Sequence, residues 1–233
     1  MERFSKLFII LMCLVGTVSL ASCLGNDDNG GGLDPETERQ ARYLMSGSYN
    51  GASTSNWMYK NRIYFLNYDI EEEDKTDSIM GITARFMTDS TFTIYGVTGN
   101  ALAKEIPDEY EGLKNAIKNY PETKEITGRY MIYSVNQNIY FVPFNTTVAY
   151  KGLEYDGETH DVTISFWGSP YSYGGYASTG GITMINMNLV MGGVFIDNDS
   201  RPDIEFYAGS QPTSQEQLDA MLQVIITRYT GGN

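Results

Sequence analysis

Apolar and polar residues alternate with a period of two through most of the chain between residues 48 and 206. This alternation is typical of a β-strand with one buried and one solvated face. It is clearest at Ile82 to Phe86, Phe92 to Ile94, Val162 to Phe166 and Ile185 to Met191. Thr88-Asp89-Ser90 lies between the first two of these segments and predicts a tight turn. The whole pattern predicts about nine strands.

Three segments depart from this pattern and predict helices. The first begins with Asp34-Pro35-Glu36, which places a capping residue, a proline and an acid at a helix start, and it ends at Gly47. The second spans Ala101 to Tyr120. The third begins at Ser214, where Gln217 completes a capping box. The predicted apolar face of this third helix consists of Leu218, Met221, Leu222, Ile225 and Tyr229.

These elements predict a mainly β protein of the α+β class, with a single globular domain over residues 34–233. We expect an antiparallel β-sandwich or a partly open barrel, with N-terminal, middle and C-terminal helices outside the sheet. The pattern leaves open which of the two architectures applies.

Residues 1–22 have the features of an export signal. Arg3 and Lys6 precede the apolar segment Leu7 to Leu20, which is too short for a stable membrane span. The sequence Leu20-Ala21-Ser22-Cys23 that follows resembles a bacterial lipobox. This resemblance implies cleavage before the cysteine and lipidation of its thiol. An ordinary secretory signal with a chance cysteine is the alternative.

Residues 23–33 are then a lipidated, flexible tether, because the Gly-rich segment after Cys23 has no hydrophobic periodicity. Asp27 and Asp28 resemble the acidic export signal of surface lipoproteins in Bacteroidetes. We therefore expect an outer-membrane location with the domain facing the cell exterior. A domain facing the periplasm is the alternative, because any such tether is polar.

The charge and the cysteine content exclude several functions. The 233-residue chain has a formal net charge of -13, which argues against nucleic acid as a partner because phosphate binding depends on Lys and Arg. Cys13 lies in the predicted signal and Cys23 in the predicted anchor. Without another cysteine, the domain has no thiol nucleophile, disulfide or Cys-ligated zinc.

The sequence does not indicate an enzyme. His160 is the only histidine, and no G-x-S-x-G or phosphate-binding glycine motif accompanies it. We therefore expect His160 to be a surface residue near a hairpin and the protein to be non-catalytic.

One acidic loop is a candidate calcium site. Asp197, Asp199 and Asp203 lie within seven residues, and calcium takes oxygen ligands of this kind. The loop lacks the glycine and the final glutamate of an EF-hand, so an ordinary polar turn is the alternative. No other cofactor is expected.

A loop rich in aromatic residues is the candidate ligand site. It contains Trp167, Tyr171, Tyr173 and Tyr176, with glycines between the tyrosines. Tyrosine offers rigid, amphipathic contact area, which suits binding of a glycan or a peptide. The alternative is a loop whose rings fold back over the sheet.

Two short segments resemble an O-glycosylation sequon of Bacteroidetes envelope proteins. They are Asp77-Ser78-Ile79 and Asp89-Ser90-Thr91, which makes Ser78 and Ser90 the predicted glycosylation sites.

A further resemblance is carried by five short segments, which are Ser46 to Gly51, Ile82-Thr83, Asp89 to Ile94, Leu102-Ala103 and His160 to Phe166. With these segments the chain resembles an uncharacterised lipoprotein family of gut Bacteroidetes, domain of unknown function 4840. This resemblance implies an envelope lipoprotein and brings no catalytic residues.

Two functions fit these observations. The first is a surface-anchored lipoprotein that binds a glycan, a peptide or another envelope protein without catalysis. The alternative is a structural or assembly component of the envelope or of a surface fibre, which would present an unpaired hydrophobic edge strand.

Overall fold

The computed structural model describes residues 33–65, 79–135, 138–168, 174–197, 199–207 and 220–231. Within these residues, thirteen strands form one antiparallel sheet that is not closed into a barrel. The mainly β prediction is confirmed. The strand number exceeds the predicted one partly because two of the strands have only two residues each.

Three helices are present in the described chain: α1 (Pro35–Met45), α2 (Gly99–Ala103) and α3 (Glu111–Lys118). Short 3₁₀ turns occur at Trp57–Tyr59 and Asp108–Tyr110. Among the described residues, no helix has the length and apolar character that a membrane crossing requires.

The strands are β1 (Gly47–Tyr49), β2 (Arg62–Phe65), β3 (Ile79–Met80), β4 (Thr83–Phe86), β5 (Thr91–Val97), β6 (Lys124–Val135), β7 (Asn138–Pro143), β8 (Thr146–Tyr155), β9 (Glu158–Trp167), β10 (Gly174–Thr179), β11 (Ile182–Ile196), β12 (Ile204–Glu205) and β13 (Met221–Tyr229). Their order along the main path is β1-β4-β5-β6-β7-β10-β11-β13-β2-β3. The second half of β11 also pairs with β9 and β12, and β8 pairs with β9. The two long strands β6 and β11 thus each join two parts of the sheet.

The first helix begins as predicted. The Asp34 carboxylate accepts hydrogen bonds from the backbone N–H groups of Glu36 and Thr37, at 3.0 and 3.1 Å, which satisfies donors that the first turn leaves free. Pro35 occupies the first helical position, where its missing N–H costs nothing. Leu33, at the end of the predicted tether, already packs against the core.

The predicted middle helix is divided into shorter pieces. Helix α2 ends at Ala103, a 3₁₀ turn follows Pro107, and α3 begins at Glu111. Proline disfavours the α conformation in the residue before it and lacks the N–H that a continuous helix needs, so one helix cannot run through residue 107.

The predicted C-terminal helix is wrong for residues 221–229, which form strand β13. Residues 214–219 of that prediction lie outside the described chain. Strand β13 pairs with β11 on one side and with β2 on the other, and residues 221–227 are all buried. A strand that is buried on both faces has a continuous apolar sequence, which periodicity alone cannot distinguish from a helix. The β-branched residues Val224 to Thr227 favour the strand.

The core lies on the inner face of the sheet and contains a cluster of aromatic rings. The ring of Phe86 contacts the rings of Tyr49, Phe92, Tyr130 and Phe141, with centroids 5.5–5.9 Å apart. Burial raises the pKa of Tyr130 to about 12. These side chains come from five strands, so the cluster holds one half of the sheet together.

Candidate ligand-binding surface

Strands β6 and β7 present different side chains on their two faces. Tyr130, Ile132 and Phe141 point into the core and are buried. The residues between them lie on the opposite, outer face, because successive side chains of a strand alternate. On this outer face, Met131 and Tyr133 of β6 lie beside Val142 and Tyr140 of β7 in the strand register.

We name the five outer-face residues Met131, Tyr133, Tyr140, Val142 and Phe144 the outer strip. Met131 pairs with Val142 and Tyr133 with Tyr140, while the Phe144 N–H donates to the Arg129 carbonyl at 2.8 Å. The rings of Tyr133 and Tyr140 stack with centroids 5.6 Å apart and planes 26° apart. Tyr140 and Phe144 are four residues apart on one extended segment, which corresponds to roughly 14 Å.

Two residues of the outer strip are exposed, and its other three residues are partly buried. Met131 is 48% exposed and Phe144 is 45% exposed. Met87, which is 38% exposed, lies in the same outer row, because its N–H donates to Thr91, the register partner of Arg129. Five large hydrophobic side chains are exposed in the described part of the chain, and these are three of them. An exposed apolar cluster of this kind marks an interaction site more often than isolated residues do.

The charges around the outer strip balance one another. Arg85 and Arg129 are exposed on this face, and so are Asp89 and Glu125. The Thr91 hydroxyl donates to the Asp89 carboxylate at 2.6 Å, and this hydrogen bond lowers the pKa of Asp89. Among the described residues of this face, positive and negative side chains are therefore equal in number, on a chain whose net charge is -13.

Trp167, the first aromatic residue of the predicted ligand loop, is half-buried and packs against the hydrophobic core. Its ring lies 5.7 Å from the ring of Tyr207. Gly192 makes room for the indole, since a Cβ at this position would lie 2.2 Å from the indole nitrogen. These contacts indicate a structural role for Trp167, as in the alternative that the sequence left open.

Tyr176 is also half-buried and packs against the core. Its register partner on β11 is Ile185, whose side chain is fully buried. Tyr171 and Tyr173 lie outside the described residues. The ligand loop therefore stays a prediction for these two tyrosines, while Trp167 and Tyr176 do not contribute open aromatic surface to it.

His160 is not a free surface residue. Its Nδ1 lies 2.8 Å from the Asp197 carboxylate, its Nε2 lies 3.9 Å from the Glu158 carboxylate, and its ring centroid lies 4.4 Å from that of Tyr155. The other Asp197 oxygen accepts the backbone N–H of Asp161 at 3.0 Å. His160 thereby joins the β8–β9 hairpin to the end of β11.

The candidate calcium ligands do not converge in the described residues. The Asp197 carboxylate is hydrogen-bonded to the His160 ring and to the Asp161 N–H. The Asp203 carboxylate accepts a hydrogen bond from the Ile196 N–H at 2.7 Å. No group of three or more His, Cys, Asp or Glu side chains in the described chain could hold a metal ion. The calcium site stays a prediction, and the observed hydrogen bonds agree better with the polar-turn alternative.

The remaining predicted sites fall mostly outside the described chain. Cys23 and Ser78 both lie beyond it. Ser90 is 5% exposed and its hydroxyl oxygen is buried. The structure therefore argues against Ser90 as a glycosylation site, because the folded domain leaves no space for a glycan on this oxygen.

A family model described as "Domain of unknown function (DUF4840)" matches residues 44–196. The chain belongs to this family. No curated protein and no solved structure matches the chain significantly. The matched region contains the outer strip and ends with β11, before β12 and β13.

Two segments that carry the family resemblance have clear structural roles. In the first, the Tyr49 hydroxyl donates to the Met45 carbonyl at 2.6 Å and attaches β1 to the end of α1. In the second, the Asp161 carboxylate accepts hydrogen bonds from the Lys151 ammonium at 2.7 Å and from the Gly152 N–H at 3.0 Å. These bonds stabilise the irregular pairing of β8 with β9, which shifts register between Tyr150 and Leu153.

The bond between His160 and Asp197 predicts a dependence of stability on acid pH. The His160 side chain, followed by the Asp161 N–H, lowers the pKa of Asp197. A carboxyl group whose pKa is lowered on folding stabilises the folded state at pH values above its unfolded-state pKa of about 3.9. This stabilisation is lost as the pH falls through the folded-state pKa. We expect Asp197→Asn to be less stable than the wild type near neutral pH and the difference to narrow below about pH 4. Urea unfolding at a series of pH values measures this difference.

The control for this prediction is Asp199→Asn. Asp199 lies two residues away and is exposed, and its carboxylate makes no hydrogen bond with the described chain. Its replacement should leave the stability at every pH close to that of the wild type. A pH-independent deficit of the Asp197 variant would contradict the assignment.

Proposed function

We propose that this chain is a lipid-anchored envelope lipoprotein whose domain faces the cell exterior and works as a non-catalytic binding module for a glycan or a peptide. The outer strip is the proposed binding surface. The observation that carries the proposal is the exposure of Met131 and Phe144 beside the stacked pair Tyr133 and Tyr140.

The physical argument starts from the environment of a solvated sheet face. Antiparallel sheets usually carry polar side chains on the face that water contacts. Here β6 and β7 carry Met, Tyr and Val at these positions, and Phe144 directly follows β7. Exposed apolar area of this kind brings no stability to the isolated domain and gains free energy only when a ligand covers it. The sheet holds the rings on rigid strands, which reduces the ordering cost of binding.

The alternative function, an assembly component that accepts a donor strand, finds less support. Strand β8 is a long strand of the described sheet with a strand partner on one side only. Its exposed residues include Lys151 and Glu154, and its pairing with β9 is irregular after Tyr150. Charged residues and bulges are features that protect an edge against further strand pairing.

The test uses glycan and peptide arrays with the full-length protein. We expect capture by the wild type and a loss of at least about tenfold in Met131→Asp and Phe144→Asp, because a carboxylate would have to be desolvated under the ligand. Thr147→Asp is the matched control, since it adds the same charge at an exposed position of β8. All four proteins should unfold at similar urea concentrations.

Two results would contradict the binding proposal. One is full capture by both strip variants, and the other is no capture of either ligand class by the wild type. The anchor has a separate test: Cys23→Ala should move the protein from the membrane fraction to the soluble fraction, and unchanged partitioning would refute lipidation.

A further inference from the structure

We infer that the ligand of the outer strip is a protein segment with an uncharged, apolar contacting face, rather than a glycan. This inference rests on the proposed binding function and specifies its partner. It is carried by three properties of the strip: its residue types, its local charge and its openness.

The residue types are those of protein–protein interfaces. Interface centres are enriched in Tyr, Phe, Met and Arg and are depleted in Lys, Asp and Glu. The outer strip contains two tyrosines, one phenylalanine, one methionine and one valine, and Arg129 adjoins Phe144 in the register. Met87 adds a further exposed apolar side chain in the row of Phe144, beyond Arg129 and Thr91. Methionine side chains adapt their shape to a partner, which suits contact with another protein surface.

The local charge excludes a strongly charged partner face. A chain with a net charge of -13 attracts basic partners through its overall field. Among the described residues of this face, however, Arg85 and Arg129 are matched in number by Asp89 and Glu125, so a basic face gains little by approaching here. A second copy of this chain is disfavoured by the overall charge, because two strongly acidic domains repel each other.

The openness of the strip favours a macromolecule over a small ligand. Small ligands are usually enclosed by concave sites that cover most of their surface. Met131 and Phe144 are 48% and 45% exposed, so their side chains stand on open surface rather than in a recess. A length of roughly 14 Å is suited to a short helix or extended segment lying on the sheet. Apolar contact over this length gives affinity without any charged group.

The experiment selects peptides from a random phage-displayed library on the immobilised full-length protein, with counter-selection on Met131→Asp. Enriched peptides should have apolar residues and a net charge near zero. Their synthetic forms should bind Phe144→Asp at least about tenfold more weakly than the wild type and should bind Thr147→Asp as tightly as the wild type. Binding should change little with salt concentration.

The possible results separate this inference from the proposed function. If the selected peptides are basic and bind all variants equally, the overall charge governs binding and the inference fails. If only a glycan is captured through Met131 and Phe144, the inference fails while the binding module stands. If sedimentation shows a dimer that Phe144→Asp abolishes, the occupant is a second copy and the inference also fails. If neither peptide nor glycan binds through the strip, both proposals fail.

Discussion

Asn61→Ala is expected to lower the free energy of unfolding by about 3–5 kcal/mol. The Asn61 side-chain amide donates to the Tyr49 carbonyl at 2.7 Å and to the Ile82 carbonyl at 3.2 Å, and its oxygen accepts the Thr227 N–H at 2.7 Å. Asn61 is only 5% exposed, so water cannot replace these bonds. Alanine would leave buried backbone groups of three separate segments without partners. Urea unfolding followed by tryptophan fluorescence measures the loss.

Asn50→Ala is the control for this prediction. Asn50 is exposed and adjacent to Tyr49, so its replacement removes an amide of the same size without burying any unsatisfied group. We expect a change within about 0.5 kcal/mol of the wild type. Equal stability of the two variants would show that Asn61 does not connect β1, Ile82 and β13 as described.

Gly47→Ala should be the second most destabilising change, by about 2–4 kcal/mol. Gly47 has a φ of +131°, and a Cβ there would lie 2.0 Å from the Arg228 guanidinium. This guanidinium donates to the Ser46 carbonyl and, at 2.6 Å, to the Leu44 carbonyl. It also lies 4.8 Å from the centre of the Tyr49 ring. The methyl group would displace Arg228 from the end of α1.

Two further variants separate strain from displacement. Gly157 has a φ of +86°, and a Cβ there would have no atom of the described chain within 4 Å, so Gly157→Ala should cost only the backbone strain, about 1 kcal/mol. Combining Gly47→Ala with Arg228→Ala should reduce the cost of the Gly47 change to a similar value, because the clash is gone. A full cost in the Arg228→Ala background would refute the role of this arginine.

Local sequence signals predict much of the fold. The cap at Asp34, the turn at Thr88 to Ser90 and the alternating strands depend on neighbouring residues, so a single sequence reveals them. Strand β13 has the sequence pattern of a helix, and its true conformation depends on the neighbours β2 and β11. Burial on both faces by distant segments removes the alternation that identifies other strands.

The candidate surface is only partly accessible to sequence reasoning. Two segments have apolar residues on both faces of a strand, namely Tyr130 to Tyr133 and Tyr140 to Phe144. This pattern indicates strands without a polar face. The pattern does not reveal that the outward-facing residues of the two strands lie side by side on the surface, because that depends on the pairing of β6 with β7. The roles of Asn61 and Arg228 could not be predicted either, because their partners are up to 184 residues away in the chain.

The attachment of α1 to Arg228 also has a mechanical consequence. If Cys23 anchors the protein as proposed, any drag on the domain is resisted through the N-terminal end of α1. Arg228 connects the other end of this helix to β13, which is hydrogen-bonded to β11 and β2 along both sides. Tension would therefore be distributed over two neighbouring strands inside the sheet, instead of peeling the three-residue edge strand β1 away. The domain should keep its ligand surface intact while it is pulled.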